Sequence, residues 1–290
     1  MKFPTKMTSA MQGKICLITG ATQGIGRETA LALAGLGATV VLVGRNPEKT
    51  AAAARMIQAN TGSPHVETML ADLSSFQQVH RLVDDFHRRY DRLNVLINNA
   101  GGVFFHRQLS PDHLEMTLAL NHLSPFLLTN LLLDTLKSSA PSRVINVSSV
   151  AHAFARIHFE DLQLARKYSG WSAYAQSKLA NVLFTYELAR RLAGSRVTAN
   201  AVHPGYVATH FGMNNSWLYR LVFEVGRLVA LSPQQGSETI TYLASSPAVE
   251  GVSGKYFVNK RARRSSGISY DARVAGRLWQ VSATMTGLDG

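Results

Sequence analysis

Seven short apolar runs, spread over nearly all of its 290 residues, leave this chain few ways to fold. They are Lys14–Thr19, Ala38–Gly44, Val66–Ala71, Leu93–Ile97, Arg143–Val147, Val197–Val202 and Gly254–Val258. Most lack the polar–apolar alternation of a strand with one wet face, so they read as strands covered on both sides. Helical patterns separate them; in Phe76–Tyr90, for example, Val79, Leu82, Val83 and Phe86 recur at helical spacing. Strands alternating with helices along the whole length predict a single α/β domain over 1–290, built on a doubly wound parallel sheet of about seven strands.

The first run leads straight into Gly20-Ala21-Thr22-Gln23-Gly24-Ile25-Gly26 and then a helical pattern from Arg27 to Leu36. Glycines at a strand-to-helix junction let the backbone turn tightly and let a phosphate approach the helix N-terminus. The spacing is G-x-x-x-G-x-G, and its setting points to nucleotide binding. The second run ends in Arg45. An acidic residue there would suit the ribose hydroxyls of NAD, whereas an arginine suits the 2′-phosphate of NADP. The third run closes in Asp72-Leu73 and the fourth in Asn98-Asn99-Ala100-Gly101-Gly102, at strand ends where open α/β sheets bind ligands.

A helix is predicted over about Asp112 to Lys137, with Asn121 near its middle and Pro125 kinking it there. The fifth run delivers Ser148-Ser149, after which His152–Ser169 reads as a loop. The helix that follows, about Trp171 to Leu192, carries Tyr174 and Lys178 four residues apart, hence on one face. A lysine ammonium held near a phenol favours the phenolate and lowers the tyrosine from its ordinary pKa of about 10, which suits it to general acid–base work. Beyond the sixth run, Trp217, Leu218, Leu221, Val222, Val225, Leu228 and Val229 share one face of an amphipathic segment. That face reads equally as a substrate lid over 206–233 or as core or an oligomer contact. Residues 1–12 form a polar lead-in and 259–290 a C-terminal extension.

Lys and Arg outnumber Asp and Glu by 30 to 18, a net charge of +12 that attracts phosphate-bearing molecules or anionic membrane surfaces without choosing among them. The densest basic run, Lys260-Arg261-Ala262-Arg263-Arg264, reads as a solvated loop, with a phosphate-binding patch as the alternative. The one cysteine, Cys16, sits in the first apolar run and reads as a buried side chain. His152, His158 and His203 are too scattered to argue for a metal, so none is expected. The N-terminus does not look like a signal peptide, and no apolar run approaches the ~18–20 residues of a membrane span. The expectation is a cytoplasmic protein that binds no nucleic acid, touches membranes at most peripherally, and is a monomer or homo-oligomer.

Taken in order, the motifs Thr19-Gly20-x-x-x-Gly24-Ile25-Gly26, Asp72-Leu73, Asn98-Asn99-Ala100-Gly101, Asn121, Ser148-Ser149, Tyr174-x-x-x-Lys178 and Pro204-Gly205 resemble the short-chain dehydrogenase/reductase family. Asn121-His-Leu-Ser-Pro-Phe-Leu-Leu-Thr129, Ser177-Lys-Leu-Ala-Asn-Val-Leu-Phe-Thr185, Arg156-Ile-His-Phe159 and Gly254-Lys-Tyr-Phe257 resemble its retinol dehydrogenase-like branch. Ser124-Pro125 departs from the Gly-His usual there, and the hydrophobic N-terminal anchor of several membrane-bound members is not seen. The resemblance implies a Rossmann-type fold and an NADP(H)-dependent oxidoreductase, preferring NADP(H) over NAD(H), that interconverts a hydrophobic carbonyl (an aldehyde or ketone, a retinal-like one among the options) and its alcohol. It implies Tyr174 as general acid and base, Ser149 as the group polarising the carbonyl, and Lys178 as the residue that lowers the tyrosine pKa and bonds the nicotinamide ribose. Asn121 would hold a water of the proton relay. Gly20, Thr22, Gln23, Gly24, Ile25 and Gly26 would form the pyrophosphate turn. Asp72 and Leu73 would border the adenine; Asn99, Ala100 and Gly101 would line the cofactor's middle; Val207 and Thr209 would lie near its carboxamide. The alternatives are a reductase of a ring double bond and a non-catalytic NADP-sensing module.

Overall fold

A computed structural model describes residues 9–206 and 231–288. Its first half alternates β1 (Ile15–Thr19), α1 (Gly24–Gly35), β2 (Thr39–Gly44), α2 (Pro47–Thr61), β3 (Val66–Leu70), α3 (Phe76–Arg89) and β4 (Val95–Asn98). Three short helices follow, α4 (Met116–Leu118), α5 (Ser124–Leu131) and α6 (Leu133–Ser138), then β5 (Ser142–Val147), α7 (Gly170–Arg191) and β6 (Val197–His203). The remaining elements are α8 (Pro233–Ser245), β7 (Lys255–Val258), β8 (Arg261–Arg263) and α9 (Ala272–Thr286).

The strands form one sheet in the order β3-β2-β1-β4-β5-β6-β7-β8. All pairings are parallel except β7–β8, which is antiparallel. The period-2 alternation of strand side chains divides each apolar run between two cores. Cys16, Ile18, Val40, Leu42 and Ile97 pack on one face with Leu33 of α1, Ile57 of α2 and Ile240 of α8. Leu17, Val41, Val43 and Leu96 pack on the other with Leu82 and Phe86 of α3, Phe126 of α5 and Phe184 of α7. This two-sided burial is why the runs are continuously apolar. Burial also pushes the Cys16 thiol up to about 12, which leaves it inert.

The sheet has eight strands rather than about seven. The basic run expected to be a loop instead supplies β8, pairing Phe257 with Ala262 and Val258 with Arg261 while its side chains stay exposed. The helix expected from Asp112 to Lys137 is broken into pieces. Residues 112–115 precede it, and Glu115 caps α4 by accepting from the Thr117 and Leu118 amides, both at 2.8 Å. The irregularity at Asn121 is a π-type widening over Ala119–Leu123, immediately before Pro125. Pro125 lies in the first turn of α5, and its missing N–H leaves the Asn121 carbonyl without the usual donor four residues on. The C-terminal extension folds back on the domain: Ala275 and Leu278 of α9 pack on Leu179, Ala180 and Leu183 of α7. Val207, Thr209 and the amphipathic face from Trp217 to Val229 lie outside the described residues. Among the described residues, no helix is long and apolar enough to cross a membrane.

Candidate active site

The strand order turns between β1 and β4, and this is where open α/β sheets bind ligands. Thr19, at the end of β1, accepts the Asn99 and Ala100 amides on its hydroxyl at 2.9 and 3.0 Å. The Asn99 amide group donates back to the Thr19 and Gly20 carbonyls at 2.8 and 3.2 Å, tying the glycine turn to the end of β4. Side chains are excluded from this cradle. Gly20 and Gly24 have φ of +65° and +57°, and a Cβ on Gly26 would strike the Gly20 carbonyl. Gln23, the exposed N-cap of α1, makes no side-chain cap, and the first turn of α1 contains no acid. Its amides are thus oriented as an anion site, and the residues fit a dinucleotide's pyrophosphate.

The neighbouring strand ends hold the other expected cofactor residues. Thr22 lies beside Gly44 at the end of β2, and Ile25 packs on the core under α1. Arg45, three-quarters exposed, reaches Asp72 at 3.4 Å. Burial alone would raise the Asp72 pKa, but hydrogen bonds from Ser74 and the Arg45 charge outweigh it and hold the carboxyl below its ordinary value. Leu73 is buried in the α3-side core, leaving Asp72 as the accessible member of its pair.

Deeper in the crevice, β5 and α7 bring Ser149, Tyr174 and Lys178 together. Ser148 bolts the two elements by donating to the Lys178 carbonyl at 2.7 Å. The start of α7 is pressed so closely on Phe104 and Phe105 that only glycine fits at Gly170. Tyr174 and Lys178 are 9% and 3% exposed. Burial pushes the Tyr174 phenol up to about 12, against a hydrogen bond with Ser149 that lowers it. Burial sets this raised value, and the lysine expected to lower it is itself desolvated. Its ammonium falls to about 8, donates to the Val147 carbonyl at 3.1 Å, and stands 5.5 Å from the tyrosine ring centroid. At neutral pH the pair is a protonated phenol beside a predominantly charged ammonium.

Asn121 is committed to the backbone. Its side chain accepts from the Gly102 amide at 2.8 Å and donates to the Gly102 carbonyl at 2.9 Å and to Ser177 at 3.0 Å. It therefore fixes the Gly101-Gly102 loop, and a Cβ on Gly101 would lie 3.5 Å from the Lys178 ammonium. The carbonyl of Asn121 accepts from Asn181 at 2.9 Å. Asn181 lies three residues past Lys178 and also reaches His122 at 3.3 Å, whose ring burial holds near pKa 4 and hence neutral.

A family model described as short chain dehydrogenase matches residues 14–217. The chain belongs to this family. It falls in the retinol dehydrogenase-like branch: it is 43% identical over 292 residues to Retinol dehydrogenase 13 of Homo sapiens, covering 99% of this chain and 88% of that relative. An uncharacterized protein from Mycobacterium Paratuberculosis has a similar solved structure, with TM-score 0.79 and 34% identity over 99% of this chain and 98% of that one. The Pseudomonas aeruginosa RhlG/NADP active-site complex is similar at TM-score 0.69 and 25% identity, covering 91% of this chain and 99% of that one. This short-chain dehydrogenase is thus an oxidoreductase with a nicotinamide-cofactor fold.

Several polar groups bonded around these residues were not read from the sequence. Asn181 could have been found, since it shares the helical face of Tyr174 and Lys178 at i+7 and i+3. Glu115 had no such signal; its carboxylate lies 3.1 Å from the Tyr168 hydroxyl, whose one proton it shares with the Phe104 carbonyl at 2.6 Å.

Proposed function

We propose that the chain interconverts an apolar carbonyl compound and its alcohol, with NADP(H) preferred over NAD(H). The observation that carries this reading is the buried Tyr174–Lys178 pair, with half-buried Ser149 bonded to the tyrosine, beside a side-chain-free cradle at the turn of the sheet. The bound nicotinamide would supply or take the hydride. Gly20, Gly24 and Gly26 with the first turn of α1 would hold the pyrophosphate, and Arg45 the 2′-phosphate. Ser149 would hydrogen-bond the carbonyl oxygen. Tyr174, protonated at neutral pH, would give its proton to that oxygen in reduction and retrieve it in oxidation. Lys178 would bring positive charge to the phenolate, and Asn121 would keep the Gly101-Gly102 wall in place.

Two further features support the cofactor and substrate assignments. An exposed apolar side chain stands near the tyrosine, Trp171, whose ring centroid is 5.8 Å from that of Tyr174, and exposed Val150 and Phe154 follow Ser149 in sequence. They suit an apolar substrate, as does the name of the retinol dehydrogenase relative. The relative solved with NADP and the guanidinium at the end of β2 both favour the phosphorylated cofactor. A cofactor-coupled screen of aldehydes, ketones and alcohols, run with NADP and NAD, tests the reading. Cofactor binding without turnover of any carbonyl or alcohol would overturn it in favour of a sensing module.

Two outcomes are expected in the same assay. Arg45→Asp removes a charge-assisted contact worth about 1.5–3 kcal/mol and sets a second carboxylate beside Asp72, so NADP affinity should fall ten-fold or more relative to NAD. An unchanged affinity ratio would show Arg45 to be a surface residue. The second outcome concerns pH. Tyr174 must lose its proton for oxidation, so the oxidative kcat/KM should rise with pH. Lys178 discharges near pH 8, so that rise should flatten there and the reductive rate should begin to fall. Profiles without a break between pH 7 and 9 would contradict this assignment.

A further inference from the structure

His152 is 3% exposed and sits in the turn that follows Ser149. Its ring joins two segments 114 residues apart. The Ser266 amide donates to Nε2 at 3.1 Å, so Nε2 carries no proton. The proton is therefore on Nδ1, which donates to the Ser149 carbonyl at 2.7 Å. The same carbonyl also accepts the His152 backbone amide at 3.2 Å. The turn held in this way brings the Ala151 amide to the Ser149 hydroxyl, again at 3.2 Å. The ring packs against Tyr256 of β7, with centroids 4.7 Å apart. Burial lowers the His152 pKa, against the raising effect of its bond to the Ser149 carbonyl, so the neutral ring this arrangement needs is favoured.

We propose that His152 is a positioning residue, which aims the Ser149 hydroxyl by bracing the serine's backbone against the C-terminal segment at Ser266. The inference rests on the reading of Ser149 as the group that hydrogen-bonds the carbonyl oxygen. Nothing places His152 in contact with substrate; it acts through the geometry of the serine. The C-terminal extension thereby becomes part of the catalytic frame, joined to it by one imidazole.

The two ring nitrogens can be tested separately. The side-chain nitrogen of Asn approximates Nδ1, so His152→Asn retains a donor for the Ser149 carbonyl and loses the acceptor for Ser266. His152→Gln places its amide nearer Nε2, retaining the tether to Ser266 and losing the donor. Misplacement of a reacting group by about 1 Å costs up to about a hundred-fold in rate, so His152→Ala should lower kcat on the order of ten-fold or more. Its cofactor Kd should stay within about two-fold, and Asn should recover more of kcat than Gln. In a Ser149→Ala background, His152→Ala should cause little further loss, because both act through one hydroxyl. Wild-type kcat in His152→Ala, with Ser149→Ala impaired, would overturn the proposal alone. So would equal losses in Asn and Gln that track their Tm, which mark a purely structural role. Wild-type turnover in Ser149→Ala would instead overturn the reading of the site on which the proposal rests. If His152→Ala does not fold, the Asn–Gln comparison decides.

Discussion

Tyr174→Phe is expected to fold and bind cofactor as the wild type does, and to turn over about 10²–10⁴-fold more slowly. The ring fills the same space beside Trp171, so packing is retained while the ionisable hydroxyl is lost. The loss should appear in kcat, because the hydroxyl's contribution is made when a proton moves. Cofactor affinity should be unchanged, since the cradle residues Gly20 to Gly26 are supported by Thr19 and Asn99, not by the tyrosine. Single-turnover measurements with saturating cofactor provide the check. Turnover within about ten-fold of wild type would require another acid for the reaction.

Lys178→Met should have two opposed effects, a large loss of turnover and a gain in stability. The ammonium is buried, and its pKa falls from 10.5 to about 8 on folding. A shift of that size corresponds to about 3 kcal/mol of destabilisation at neutral pH, as an order of magnitude. The sign follows from proton uptake. Between pH 8 and 10.5 the unfolded chain binds the proton that the folded chain has released, so stability rises with pH through that window. Below pH 8 the full cost of the buried charge is present. The uncharged, similarly long methionine removes that cost, and the Val147 carbonyl keeps a second donor in Asn181 at 3.4 Å. Denaturant unfolding should therefore show the variant more stable at pH 6.5, with the advantage shrinking by pH 10. A less stable variant at pH 6.5 would show that the lysine's hydrogen bond outweighs its desolvation. A gain paired with lost turnover would show stability sacrificed for chemistry.

The sheet was legible in the sequence because burial on both faces leaves an unmistakable trace. Leu17 faces one core while Cys16 and Ile18 face the other, so the middle of that run is apolar without a break. The glycine cradle and the Tyr174–Lys178 pair were legible for a related reason: each depends on residues close in sequence, through φ or through helical spacing. What the sequence concealed depends on contacts between distant segments. The depressed Lys178 pKa arises from burial between β5 and α7, which no local pattern encodes. The commitment of Asn121 to Gly102 spans 19 residues, and the bond from Ser266 to His152 spans 114. The disturbance at Pro125 was legible, but its form was not: the Asn121 carbonyl that the proline leaves without a donor is taken up by Asn181, 60 residues away.

The basic strand β8 has a consequence for how this molecule survives in a crowded solution. A sheet that ended at β7 would offer Lys255–Val258, with its buried Tyr256 and Phe257, as a template for any passing extended chain. The chain instead lays its own Arg261–Arg263 there, antiparallel, and leaves both arginines in water with Lys260 and Arg264 alongside. A second copy approaching strand to strand would set arginine against arginine. Positive charge on an outermost strand is one of the devices by which proteins discourage edge-to-edge aggregation. If the densest cluster of cations in the sequence guards this edge, Arg261→Ile with Arg263→Ile should lower the concentration at which the protein self-associates.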